Sequence, residues 1–329
     1  MKFNQKYCAG RGFLTNTFIK ILLLLVILLI SEKQLLATEA SVGLSIGYDD
    51  NIGRTPEPAE SGFSRYFLIL SHSFFPDSYI TNWEAYIGSE YQDYFKAENN
   101  YKIYAETSLN FPFAGGCFLP EISYEGMIFR DNEQPEDSMN QHSLKGRFEW
   151  LPAPRLTVEI QQTFSYQNYS DGGEIQTDGV FGGYGKMKGQ QSLQQQTYAR
   201  DDNLSSSDLL FTFHLSPDID TGLMFSHGRR SSSMEKESYT ENGLIFSLIW
   251  TQCGIWKISS AIGWRKADYD YASDDIDRKD ATWNISAGIS RFIDKYELFM
   301  RIDWEDNDSS LEEELYSNMV TQCGISLSF

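Results

Sequence analysis

The stretch QCGISLSF, Gln322 to Phe329, ends the sequence. Ile325, Leu327 and Phe329 fall on one side of an extended strand, and Gly324, Ser326 and Ser328 on the other. A period of two marks a strand with one apolar face and one small polar face.

The same alternation recurs upstream. Tyr296, Leu298, Met300, Ile302 and Trp304 oppose Glu297, Phe299, Arg301 and Asp303. Trp283, Ile285, Ala287 and Ile289 oppose Asn284, Ser286, Gly288 and Ser290. Tyr101, Ile103, Ala105, Thr107, Leu109 and Phe111 oppose Lys102, Tyr104, Glu106, Ser108 and Asn110. The pattern predicts fourteen strands, at 41–48, 63–72, 79–91, 100–111, 117–130, 141–150, 156–166, 207–215, 220–230, 240–252, 255–266, 280–291, 296–305 and 316–329. The second, fifth and eighth have the least distinct registers. No helical period follows the first 37 residues.

The predicted connections alternate short and long. The short ones are 73–78, 112–116, 151–155, 216–219, 253–254 and 292–295. The long ones are 49–62, 92–99, 131–140, 167–206, 231–239, 267–279 and 306–315. This is the rhythm of an all-β, antiparallel up-and-down transmembrane β-barrel of about fourteen strands. An even strand count places both termini on the periplasmic side. A barrel also meets the demand that lipid makes on every backbone N–H and C=O, because a closed sheet has no unpaired edge.

Composition agrees. The 329 residues include 19 Tyr, 22 Phe and 7 Trp, yet the chain is polar on average. The strand registers put Trp83, Trp150, Trp250, Trp256, Trp264, Trp283 and Trp304 all on the apolar face. Trp150, Trp250 and Trp256 lie beside short turns, and Trp264, Trp283 and Trp304 lie toward long loops. Two belts of indoles flanking an apolar band suit a bilayer.

The first 37 residues read as a secretory leader. Lys2, Lys6, Arg11 and Lys20 precede the apolar run Ile21–Ile30, and Leu35-Leu36-Ala37 offers a cleavage site, with Ala40 as a second choice. As a helix, that run spans roughly 15 Å, half of a hydrocarbon core. Residues 38–329 then form the barrel, with a long loop at 167–206. No soluble domain is expected before the first strand.

The net charge is −19, which argues against nucleic acid as a partner. Cys8, Cys117, Cys253 and Cys323, with His72, His142, His214 and His227, make no metal-ligand spacing, and no cofactor is expected. A catalytic site is not expected either. His142-Ser143 and His227 are hydrolase candidates by residue type. Alternation puts His142 and Ser143 on opposite faces, and His227 has no acid partner.

The inward face is expected to carry Glu84, Glu106, Glu149, Glu159, Glu297 and Asp303 beside Lys102, Lys145, Arg147, Lys257, Arg265 and Arg301. A balanced set predicts little ion preference. Arg147 is expected to pair with Glu159 across the 151–155 turn. Tyr86 and Tyr104 are candidate stacking surfaces for sugar. The alternative is a lumen closed by ion pairs. The Gly- and Gln-rich run 172–196 serves either as a constriction or as a flexible surface loop. Asp274, Asp275 and Asp277, and Glu312, Glu313 and Glu314, are either solvated loops or cation bridges to lipopolysaccharide.

Two motifs carry resemblances. Gln322, Gly324, Leu327 and Phe329 resemble the C-terminal signal of bacterial outer-membrane proteins. That resemblance implies recognition by the barrel-assembly machinery and residence in the outer membrane of a Gram-negative cell. The stretch GYDDNIGR, Gly47 to Arg54, resembles the end of the first strand in barrels that accompany exopolysaccharide and exosortase gene sets. It also resembles the barrel part of surface-lipoprotein assembly modulators, which carry a helical-repeat domain that is not found here. The first resemblance implies a passive channel or accessory barrel in polysaccharide export. A closed structural or adhesive barrel is the alternative, with a protein-translocation barrel or hydrolase as further ones. Asp49, Asp50 and Asn51 offer hard oxygen ligands for Ca²⁺, or serve a turn.

Overall fold

The computed structural model describes residues 38–56, 58–74, 82–132, 137–169, 200–273 and 276–329. The leader and the run 170–199 lie outside them, as do Asp274 and Asp275.

Fourteen strands form one closed antiparallel barrel in sequence order. They are β1 (Thr38–Asp49), β2 (Ser61–Ser73), β3 (Asn82–Tyr94), β4 (Asn100–Asn110), β5 (Phe118–Asp131), β6 (Met139–Ala153) and β7 (Leu156–Tyr169). The remainder are β8 (Asp201–Ser216), β9 (Ile219–Ser232), β10 (Tyr239–Gln252), β11 (Trp256–Ser273), β12 (Ile276–Ile293), β13 (Tyr296–Ser309) and β14 (Tyr316–Ser328). β1 closes on β14, with Leu44 opposite Ile325.

Paired residues lead from Thr38 at the bottom of β1, through His72, Leu144, Ser205 and Thr240, to Lys279 near the top of β12. Completing the circuit raises the register by about 18 residues. At ~3.3 Å per residue and ~4.8 Å per strand, the strands tilt by roughly 40° and the wall is about 28 Å across. An eight-stranded barrel fills its interior with side chains, whereas this wall is too wide for that.

The outer face is apolar. Ile46, Ile122, Ile160 and Phe164 each expose more than half their surface, which water does not reward and a bilayer does. The buried hydrophobic residues are few and include Phe63, Leu68 and Tyr169. All seven tryptophans are on the outward face. Trp264 lies opposite Trp283, and Trp304 opposite Ile285. Trp256 and Trp264 on β11 are eight residues apart, roughly 26 Å along the strand and about 20 Å in depth at this tilt. That approaches the ~25 Å apolar band of a membrane barrel. At the lower belt, Trp83 stacks on Phe74 at 4.1 Å and donates to Thr107 Oγ1 at 2.6 Å. The Arg291 guanidinium lies 5.3 Å from the Trp256 ring.

The strands outrun the sequence pattern at the loop end. The predicted loop 267–279 is mostly hairpin, because β11 reaches Ser273 and β12 begins at Ile276. The predicted loop 167–206 shrinks to 170–200, and 92–99 shrinks to 95–99. Above the upper indoles both faces are wet, so apolar alternation fades while backbone pairing continues.

At the seam, rings lie over glycines. A Cβ on Gly324 would stand 2.6 Å from the Phe299 ring and 2.5 Å from the Leu44 carbonyl. This explains an inward Phe299: its ring occupies the space that Gly324 leaves. Cys253 and Gly254 close the β10–β11 turn with φ of 51° and 68°, as a tight hairpin of the mirror-image type requires.

Candidate functional site: the lumen wall

Paired residues share a face, so the ladders assign each side chain. Glu84, Tyr86, Lys102, Tyr104 and Glu106 on β3 and β4 face inward. So do Lys145, Arg147, Glu149 and Glu159 on β6 and β7, and Lys257, Arg265, Arg301 and Asp303 on β11 and β13.

The expected charge balance does not survive the full register. Arg65, Arg230 and Arg278 join the inward cations. Glu39, Asp49, Glu90, Glu121, Glu125, Asp131, Asp202, Asp208, Asp220, Glu241, Asp280 and Glu305 join the inward acids. The wall is acidic. The indistinct patterns of β5 and β8 hid Glu121, Glu125, Asp202 and Asp208.

Arg147 does pair with Glu159, at 2.8 Å, though diagonally: the residue opposite Arg147 is Gln161. It also reaches Glu149 at 2.9 Å and Glu121 at 3.3 Å. One guanidinium thus serves three carboxylates. Arg65 pairs with Glu90 at 2.5 Å, Arg301 with Asp303 at 2.7 Å, and Arg265 with Glu241 at 3.7 Å.

Tyr86 donates to Glu106, and its ring lies edge-on to Tyr104 at 6.3 Å. The Tyr104 ring covers Gly88, where a Cβ would stand 2.2 Å away, and Lys102 Nζ is 5.2 Å from it. Packing against the wall therefore uses part of the surface proposed for sugar. A cavity of about 630 Å³ opens on the other side of the lumen, lined by Arg65, Arg265, Asn284, Arg301, Asp303 and Gln322 among others.

Above the upper belt, Asp202 is fully buried between Arg200 (3.0 Å) and Arg230. Arg200 lies 4.3 Å from the Tyr169 ring. Arg278 repeats the arrangement with Asp280 at 2.8 Å, Glu314 at 2.9 Å and the Tyr269 ring at 4.0 Å. Burial raises the Glu314 carboxyl above its usual range, against the pull of Arg278.

The side-chain oxygens of Asp49, Asp50 and Asn51 each accept hydrogen bonds. Asp49 accepts from Asn51 N–H at 3.1 Å and from Tyr94 at 3.4 Å. Asp50 accepts from Met319 N–H at 2.6 Å, and Asn51 Oδ1 from Thr55 N–H at 3.2 Å. Among the described residues no group of three or more His, Cys, Asp or Glu is placed to hold a metal ion.

His142 faces outward against Tyr124 (2.7 Å), and Ser143 faces inward against Ser165 (2.9 Å). His227 meets Asn242 at 2.9 Å. A different histidine has relay connectivity. His214 Nδ1 lies 2.7 Å from Asp220, and Nε2 lies 3.0 Å from Thr157 Oγ1, at the short-turn mouth. Sequence reading missed this set, because its members lie on three strands. The His214 backbone N–H is committed to the Arg155 carbonyl at 3.0 Å, so it is no oxyanion donor.

No family model and no curated protein matches the chain. Among solved structures it is similar to OmpT, an outer-membrane protein of Vibrio cholerae. That match has 8% identity and a TM-score of 0.52, and covers 89% of this chain and 97% of the other. An anion-selective porin from Comamonas acidovorans gives 10% identity, a TM-score of 0.49 and coverage of 89% and 98%. An outer membrane channel from Pseudomonas putida F1 gives 10%, 0.46, and 89% and 95%. The fold is that of outer-membrane β-barrels.

Proposed function

We propose that this chain resides in a bacterial outer membrane with both termini periplasmic, and that it acts there as a passive channel or as an accessory barrel in envelope or exopolysaccharide export. The observation that carries the channel reading is the width of the wall. Fourteen tilted strands enclose about 28 Å, beyond what inward side chains fill, and the inner face is polar and charged. The apolar outer face between two tryptophan belts supports the membrane assignment. The resemblance of Tyr48-Asp49-Asp50-Asn51-Ile52 to barrels of exopolysaccharide gene sets supports the export role. Lipopolysaccharide and the barrel-assembly machinery, through Gln322, Gly324, Leu327 and Phe329, are its partners in this reading.

The test is planar-bilayer conductance of the refolded barrel. Stable steps that polysaccharide fragments block support export. Steps without block leave a general porin.

The second reading is a closed structural barrel. It is favoured by Arg147, which ties Glu121, Glu149 and Glu159 into one knot. Absence of steps from a barrel shown folded by heat-shifted gel mobility selects this reading.

A further inference from the structure

The inward acids are not spread evenly. One arc of the wall, β3 to β9, carries Glu106 and Glu125 directly opposite each other, and Glu149 directly opposite Glu159. Directly opposed like charges destabilise a sheet. The second pair has Arg147 between its members. The first has only the Tyr86 hydroxyl on Glu106, and among the described residues no Lys or Arg forms an ion pair with either carboxylate. Glu106 is 8% exposed. A sheet that keeps such a pair breaks a local rule without a structural return, and that is where function is expected.

The cations do not offset this. Of those on the arc, Arg147 is held by three carboxylates, Arg230 is tied to Asp202 and Lys102 lies against Tyr104, while Lys145 forms no ion pair among the described residues. Beside the arc, Arg65 is tied to Glu90 of β3; across the lumen, Arg265 and Arg301 are tied to Glu241 and Asp303, and Lys257 forms no ion pair among the described residues. A mobile ion in the lumen therefore meets paired guanidiniums and Lys257 on one side, and on the other an excess of carboxylates over the single unpaired Lys145.

We infer that the lumen admits cations and neutral solutes in preference to anions, with the carboxylates of the β3–β9 arc, Glu106 and Glu125 foremost, setting the preference. The inference rests on the channel reading above. It requires no bound ion at a fixed position, since the field of the whole arc acts on ions passing along the axis. A unit charge about 10 Å from the axis changes cation and anion concentrations there about two-fold each, in opposite directions. The Debye length is about 10 Å at 0.1 M, so the preference weakens as salt rises.

The experiment is the reversal potential of the refolded full barrel in a bilayer under a KCl gradient at low ionic strength. The wild type is expected to pass K⁺ over Cl⁻. The Glu106→Gln/Glu125→Gln variant keeps side-chain shape and is expected to lower the permeability ratio at least about three-fold. Lys145→Gln, a separate variant, is expected to raise it. Glu312→Gln/Glu313→Gln, in the β13–β14 connection, is expected to leave it unchanged. Conductance with no preference, or with anion preference, overturns this inference and leaves the channel reading standing. Lack of conductance from a folded barrel overturns both. If the double variant does not fold, an unchanged ratio in Lys145→Gln overturns the assignment of the preference to this arc.

Discussion

The side-chain amide of Asn51, just past the first strand, donates to the carbonyl of Ser317 in the last strand, 3.0 Å away and 266 residues on. The same amide donates to Thr55 O at 2.9 Å, and Asn51 Oδ1 accepts from Thr55 N–H. Its neighbour Asp50 accepts from Met319 N–H. The Asp-Asp-Asn stretch thus fastens the seam where the barrel closes. Asn51 is 1% exposed, so its bonds are shielded from water.

Asn51→Ala leaves backbone groups of Thr55 and Ser317 without their side-chain partner. The expected loss is about 1–3 kcal/mol, read as a lower urea midpoint for the refolded barrel. Ca²⁺ and EDTA are expected to leave the wild-type midpoint unchanged. A midpoint raised by Ca²⁺ contradicts the seam role and returns the motif to metal binding.

Gly88 and Tyr104 make a second testable pair. The three atoms nearest a Cβ at Gly88 all belong to the Tyr104 side chain, the closest at 2.2 Å. Gly88→Ala is expected to cost about 1–3 kcal/mol, and Tyr104→Ser in the same chain is expected to recover most of it. Additive losses in that double-mutant cycle contradict the packing described.

Asp202 holds two guanidiniums with none of its own surface exposed. Asp202→Ala leaves Arg230 without its carboxylate and Arg200 with only Glu237, 3.8 Å away, and is expected to cost about 3–5 kcal/mol. The loss should be local to the projecting tops of β8 and β9. Hydrogen exchange is expected to rise there and to stay slow at the short-turn ends. Uniform protection throughout contradicts the assignment.

Arg147→Met removes the one cation among Glu121, Glu149 and Glu159. It is expected to lower stability, and Glu159→Gln in the same chain is expected to recover part of the loss. Additive losses in that double-mutant cycle point to lost packing instead of lost charge.

What the sequence disclosed follows from where the bilayer acts. Between the tryptophan belts, lipid demands apolar residues at alternate positions, so the faces of β4, β12, β13 and β14 are legible residue by residue. Above the upper belt that demand ends. Asp201–Ser206 and Ala267–Ser273 read as loop, although the backbone continues in sheet. A different cause hid the inward acids of β5, between the belts, where Pro120 and Gly126 break the apolar run on the outer face. The Arg147–Glu159 pair was legible because a short turn fixes which residues come near, yet the register differs from the expected one by two residues. The task of Asn51 was not legible, since its distant partner is a backbone carbonyl in the last strand. His214, Asp220 and Thr157 were missed for a related reason: only the barrel's stagger brings them together.

The central claim is that the tryptophan face meets lipid. Depth-dependent quenching tests it most directly, with the folded barrel in vesicles whose acyl chains carry bromine near the headgroup or near the methyl end. The account predicts strong quenching by headgroup-proximal bromine, weaker quenching from the bilayer centre, and little by aqueous iodide. Efficient iodide quenching with no effect of brominated lipid would place the indoles in water and contradict a membrane-spanning barrel.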